Sequence, residues 1–184
     1  MATDKVRQIA FESVYPLAAG EAAHSPGPDG LAPAERELSY QMAIRRLVVQ
    51  VLYEAEQAGV DDAAFDRFLH DAMGRVEDLG PMAAETARSL ASEAFTQRAE
   101  ADAEFGRLVP DWPPHRQAAV DRAILRVARA ELLRGTPPGA VVINEAIELA
   151  RAFSTDRSPA FINGLLDAVL ARLKAQGAKP PAEA

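Results

Sequence analysis

The residues of this chain that could do chemistry are few and scattered. Its three histidines, His24, His70 and His115, lie far apart, and none has a second histidine at metal-ligand spacing. Cysteine is absent, which excludes disulfides, thiolate metal sites and cysteine nucleophiles. The adjacent carboxylates Asp61 and Asp62 look like an acid–base pair. They stand, however, at the start of an apolar-periodic segment, where a carboxylate accepts the orphan amide hydrogens of a helix N-terminus. No GxGxxG or GxxxxGK[ST] phosphate loop is present, and no HExxH or GxSxG. This inventory points to a protein that binds rather than catalyses, with no cofactor and no metal.

The most informative stretch runs from Val142 to Leu173, VINEAIELARAFSTDRSPAFINGLLDAVLARL. Ile143, Ala146, Ile147 and Ala150 recur at helical spacing and make one apolar face. The run from Phe153 to Pro159 ends that helix and starts another, with Ser158 as a candidate cap and Pro159 suited to the first helical turn. Phe161, Ile162, Leu165, Leu166, Val169, Leu170 and Leu173 form a broad stripe that must be buried. Asn163 and Gly164 are poor choices inside a helix, the glycine costing about 1 kcal/mol relative to alanine. Such a misfit predicts either a close helix approach or a surface for a partner.

The remaining elements are also helical. Pro33 to about Ala58 reads as a long helix, with Ile44, Leu47, Val48, Val51, Leu52 and Ala55 on its buried side. Asp61 or Asp62 caps a second, with Phe65, Phe68 and Leu69 inside, closed by Gly74. A third runs from Pro81 towards Arg107, its charged later part, Arg98 to Glu104, reading as a solvated end. Asp111-Trp112-Pro113-Pro114 is a break, followed by a helix from His115 to Arg134 that Gly135 terminates. No alternating strand pattern of useful length appears, so the fold class is all-α.

Three regions follow from composition: residues 1–32, rich in Pro, Gly and Ser, as a flexible N-terminal arm; 33–175 as one helical domain; and 176–184 as a disordered tail. At 184 residues, 48% of them hydrophobic, the chain can bury one real core. No apolar run is long enough to span a membrane, and no basic-then-apolar leader opens the sequence. With the absence of cysteine, this predicts a cytoplasmic protein. The net charge of −7 argues against indiscriminate nucleic-acid coating. It is unevenly spread: residues 39–109 carry 7 Lys+Arg against 13 Asp+Glu, and residues 110–184 carry 10 against 8. An anion-binding surface is therefore expected to draw on the C-terminal third.

The order of residues in three places resembles the NusB family of bacterial antitermination factors. INEAIELA followed by SPAFINGLLD, from Ile143 to Asp167, is similar to the family's C-terminal helices. Val120 to Ala128, VDRAILRVA, with Glu131-Leu132-Leu133 resembles the family's VDRAILRxAxxELL helix. Val49-Gln50-Val51-Leu52-Tyr53 is similar to the AxQALY of its first helix. The resemblance spans roughly residues 38 to 173, in family order. It implies about six to seven helices in two packed sub-bundles, and two binding surfaces. One takes boxA, a single-stranded RNA element. The other takes NusE, a small-subunit ribosomal protein, within the RNA polymerase antitermination complex that transcribes ribosomal RNA operons.

Carried over residue by residue, the RNA side falls on Arg45 and Phe161, with Arg46 and Arg157 as neighbours. Arginine charges along phosphates and flat groups against bases are what single-stranded RNA requires. The NusE side falls on Tyr53 and Asp121, the latter able to pair with an arginine of a basic partner or locally with Arg122 or Arg126. Some family members form homodimers, which the sequence leaves open. The chain departs from the family where an arginine cluster should precede the first helix motif, since Ser39 to Ile44 carries no charge. That thinning motivates a second reading, a NusB-like adaptor that keeps a protein partner but has lost boxA recognition. RNA methyltransferases also carry a NusB-like domain, but this sequence lacks a nucleotide-binding glycine motif.

Overall fold

The computed structural model describes residues 33–76 and 80–177, with side chains in the first helix from Tyr40 onward. The arm of residues 1–32 and most of the tail lie outside the described residues. Among the described residues seven helices follow in order: α1 (Pro33–Gln57), α2 (Asp62–Gly74), α3 (Pro81–Thr96), α4 (Arg98–Leu108), α5 (Ala119–Arg134), α6 (Gly139–Phe153) and α7 (Ser158–Ala175). A single 3₁₀ turn, Pro114–Arg116, precedes α5. No strand occurs among the described residues. The fold is all-α, as the periodicity predicts.

Each helix exists because one face is apolar at helical spacing. On α1, Ile44, Leu47, Val48, Val51, Leu52 and Ala55 are all buried. Asp61 does cap α2, its carboxylate accepting the Ala64 amide at 2.9 Å. Phe65 of α2 stacks on Phe95 of α3 with ring centroids 3.6 Å apart, fastening the two. Helices α1, α2 and α3 pack on one another, and α5, α6 and α7 do the same. The two groups join where α5 packs against α1 and α3. Helix α5 is consequently buried on most of its circumference, from Val120 to Leu132.

Three expectations are corrected. The helix expected from Pro81 to Arg107 is two, divided at Gln97, where the Phe95 carbonyl accepts the Arg98 guanidinium at 2.8 Å. Its charged second part is not a solvated end: Ala101, Glu104 and Phe105 are buried against the second group. The charges are there to pair, Glu104 with Arg129 and Arg172, and Asp102 with Arg126. The helix expected from His115 starts instead at Ala119, because Gln117 and Ala118 are extended. Gly135 ends α5 in the left-handed conformation, φ 73°.

Candidate nucleic-acid and partner interface

Two consecutive arginines on α1 are about 100° apart around the helix axis and meet different surroundings. Arg45 points in. It is 4% exposed, and its Nε donates to both Glu131 carboxylate oxygens at 2.9 and 2.8 Å. Its Nη1 pairs with Glu145. One cation thus serves two buried carboxylates from α5 and α6. Burial pushes the Glu145 carboxyl up and the Glu131 charge adds to it; the Arg45 charge opposes them but does not cancel them. The expectation that Arg45 faces RNA is corrected by this placement: the guanidinium ties α1 to α5 and α6 and offers no surface to a phosphate.

Arg46 points outward. Its guanidinium lies over the ring of Phe153, 4.9 Å from the centroid. Phe153 is the last residue of α6, so Arg46 sits beside the α6–α7 turn. Arg157, exposed, is in that turn, and Phe161, half-buried against the core, lies one helical turn further on. Three of the four expected RNA residues therefore gather at one place. Phe153 joins them, and sequence reasoning had passed over it. The signal was available: an aromatic immediately before a turn already singled out.

The turn is fastened from beneath. Ser158 is 3% exposed and donates its hydroxyl to Asp121 Oδ2 at 2.8 Å. The Ser154 and Thr155 hydroxyls each lie 2.9 Å from Ser158 Oγ. Since Ser158 spends its one hydrogen on Asp121, both neighbours donate to it. The expected capping role of Ser158 is corrected: it is the first residue of α7 and no side chain caps that helix. Asp121, 6% exposed, pairs with neither Arg122 nor Arg126, and its Oδ1 has no partner. It holds the turn from α5 instead of standing on the surface.

Tyr53 is half-buried on α1. One turn below it Glu56 accepts from both Arg122 and Arg126. Burial pushes the Glu56 carboxyl up, but the hydrogen bond from Arg122 and the charges of both arginines outweigh it and hold it below the ordinary carboxylate range. This network fixes α1 against the N-terminal half of α5. Gly164 is exposed and a Cβ there would meet nothing within 4 Å, so the glycine makes no close approach inside the molecule. Among the described residues no group of histidines and carboxylates could hold a metal, and no helix is long and apolar enough to cross a membrane.

The model of the NusB family matches residues 42–171. The transcription antitermination protein NusB of Salinibacter ruber is 36% identical over 141 residues, 76% of this chain and 86% of that protein. Its counterpart in Chloroflexus aggregans is 36% identical over 148 residues, 77% of this chain and 93% of that protein. Among solved structures, Thermotoga maritima NusB superposes with a TM-score of 0.64 at 27% identity, covering 77% of this chain and 93% of that one. A NusB chain crystallised with NusE and double-stranded RNA superposes at 0.60 with 21% identity, covering 72% and 97%, a likeness of fold.

Proposed function

From the premise that this chain belongs to the NusB family, a family of transcription antitermination factors, we propose that it binds boxA-like single-stranded RNA together with NusE. In that role it supports processive transcription of ribosomal RNA operons in the cytoplasm, by binding alone and without catalysis. The observation that carries the RNA reading is the gathering of Arg46, Phe153, Arg157 and Phe161 at the α6–α7 turn. Guanidinium groups there can meet phosphates, and the exposed parts of the half-buried Phe153 and Phe161 rings can meet bases. Arg45 serves by holding α1 in register with α5 and α6, so that Arg46 is presented outward.

On the protein side, Tyr53 supplies an aromatic anchor at the α1 surface. Asp121 acts indirectly, through Ser158, by fixing the turn that carries the RNA residues. An acidic chain gains from a basic ribosomal partner, which adds the positive charge that the thinned α1 cluster lacks. The test is fluorescence anisotropy of a boxA-like RNA against a scrambled one, with and without NusE, at low and moderate salt. Preferential binding that NusE strengthens and that Arg46→Ala or Phe161→Ala weakens would support the reading. NusE binding with no RNA preference would replace it with the adaptor that lacks boxA recognition.

A further inference from the structure

The segment between α4 and α5 holds out an aromatic that neither the core nor the interface above uses. Trp112, the single tryptophan of the chain, is 47% exposed. The Arg116 guanidinium lies over its ring, 4.9 Å from the centroid. Arg107, Leu108 and His115 beside it are exposed as well. The backbone that carries this indole is tied on both sides. Its amide donates to the Val109 carbonyl at 3.0 Å, and its own carbonyl accepts the buried Gln117 side chain at 3.0 Å. Arg122 donates to the carbonyls of Pro114 and Gln117 at 2.9 and 2.5 Å and is itself clamped by Glu56. Pro114 packs on α4, where a Cβ on Gly106 would lie in ordinary van der Waals contact with its ring, at 3.5 Å. Buried Gln117 and half-buried Arg122 thus brace the backbone from which the indole projects into solvent.

Charge and position indicate what the plate is for. The chain as a whole carries −7, yet residues 107–116 set Arg107 and Arg116 against Asp111 alone. An exposed indole on a braced backbone, a guanidinium on its ring and a local excess of cations make a base-stacking platform with phosphate contacts. The Trp112 segment also shares an anchor with the RNA turn. Arg122 pins the segment, and the preceding residue, Asp121, pins the α6–α7 turn through Ser158. Both surfaces hang from the first turn of α5 and lie at the same end of the molecule.

We propose that Trp112 and Arg116 form a second, base-stacking contact for single-stranded RNA, which carries the strand beyond the α6–α7 turn around the N-terminal end of α5. The proposal rests on the RNA-binding reading above, and the test separates the two. Trp112 reports on itself, because no other tryptophan contributes emission. The full chain is titrated with a boxA-like RNA, either minimal or extended at each end by unstructured nucleotides, while anisotropy of the labelled RNA follows binding. The extended RNA should quench Trp112 emission and bind at least about fivefold tighter than the minimal one, the lower end of what one base stack contributes. Trp112→Ala and Arg116→Ala should each abolish that advantage, whereas Phe161→Ala should weaken both RNAs alike. Binding of both RNAs with equal affinity and unaltered emission would overturn the platform and leave the RNA function standing. Absence of binding to either RNA would remove both. Emission that responds to NusE but not to RNA would reassign the plate to a protein contact and overturn the proposal.

Discussion

Arg45 and Arg46 are neighbours of the same type with opposite employment, and mutation should separate them cleanly. Arg45→Ala leaves Glu131 and Glu145 as two uncompensated buried carboxylates, and loss of one partner of such a cluster costs about 3–5 kcal/mol. Thermal unfolding should show a fall of many degrees. Arg46→Ala forfeits only a half-exposed contact with Phe153, about 0.5–1 kcal/mol, and its effect should appear in RNA affinity instead. The two perturbed glutamates predict a biphasic acid response. Glu145 is raised above its ordinary 4.5, so its ionised form costs stability, and protonation adds stability as pH falls towards that value. Glu56 is lowered below 4.5, so its contribution is present above that value and is lost as pH falls through the folded-state pKa. Calorimetry across pH should find that Glu145→Gln removes the gain and Glu56→Gln flattens the acid loss; identical profiles for both variants would contradict this.

At the level of helices, two glycines make opposite predictions. A Cβ on Gly139, at the start of α6, would lie 2.8 and 2.9 Å from the Leu170 methyls of α7 and 3.3 Å from Leu132 of α5. Gly139→Ala should therefore destabilise by about 1–3 kcal/mol through overpacking, softened to the extent that Leu170 can rotate. Gly164→Ala, in the open middle of α7, should stabilise by up to about 1 kcal/mol from helix propensity. Chemical denaturation measures both, and a destabilised Gly164→Ala would show that propensity is not what governs that position. Of the two outcomes expected of the Asn163-Gly164 misfit, a close approach or a partner surface, the close approach is not made at Gly164; Gly139 makes one instead. Periodicity cannot distinguish them, because it reports a residue's face but not what stands opposite.

For the molecule as a whole, RNA affinity is set against an unfavourable net charge of −7. If Arg46 and Arg157 are the phosphate contacts of the α6–α7 turn, the slope of log affinity against log salt for a minimal RNA should be about −1.4, at about −0.7 per contact on a single strand. An extended RNA that also meets Arg107 and Arg116 should approach about −2.8. A titration series in monovalent salt measures the slope, and an identical value for both lengths would limit the contact to one surface. NusE should flatten the dependence on the chain's own arginines by contributing cations of its own.

The helices of this protein were legible in its sequence because local signals agree with one another. Apolar residues recur at helical spacing, Asp61 stands where a cap is needed, and Gly135 where a left-handed stop is needed. The family was legible too, because ordered motifs survive in linear form. The direction in which a charged side chain points was not. Arg45 reads as a surface cation until Glu131 and Glu145, 86 and 100 residues away, are placed around it. The stretch Arg98 to Glu104 reads as solvated until Arg126, Arg129 and Arg172 meet it. A charge is polar in sequence whether water or an opposite charge neutralises it, and only tertiary packing decides between the two.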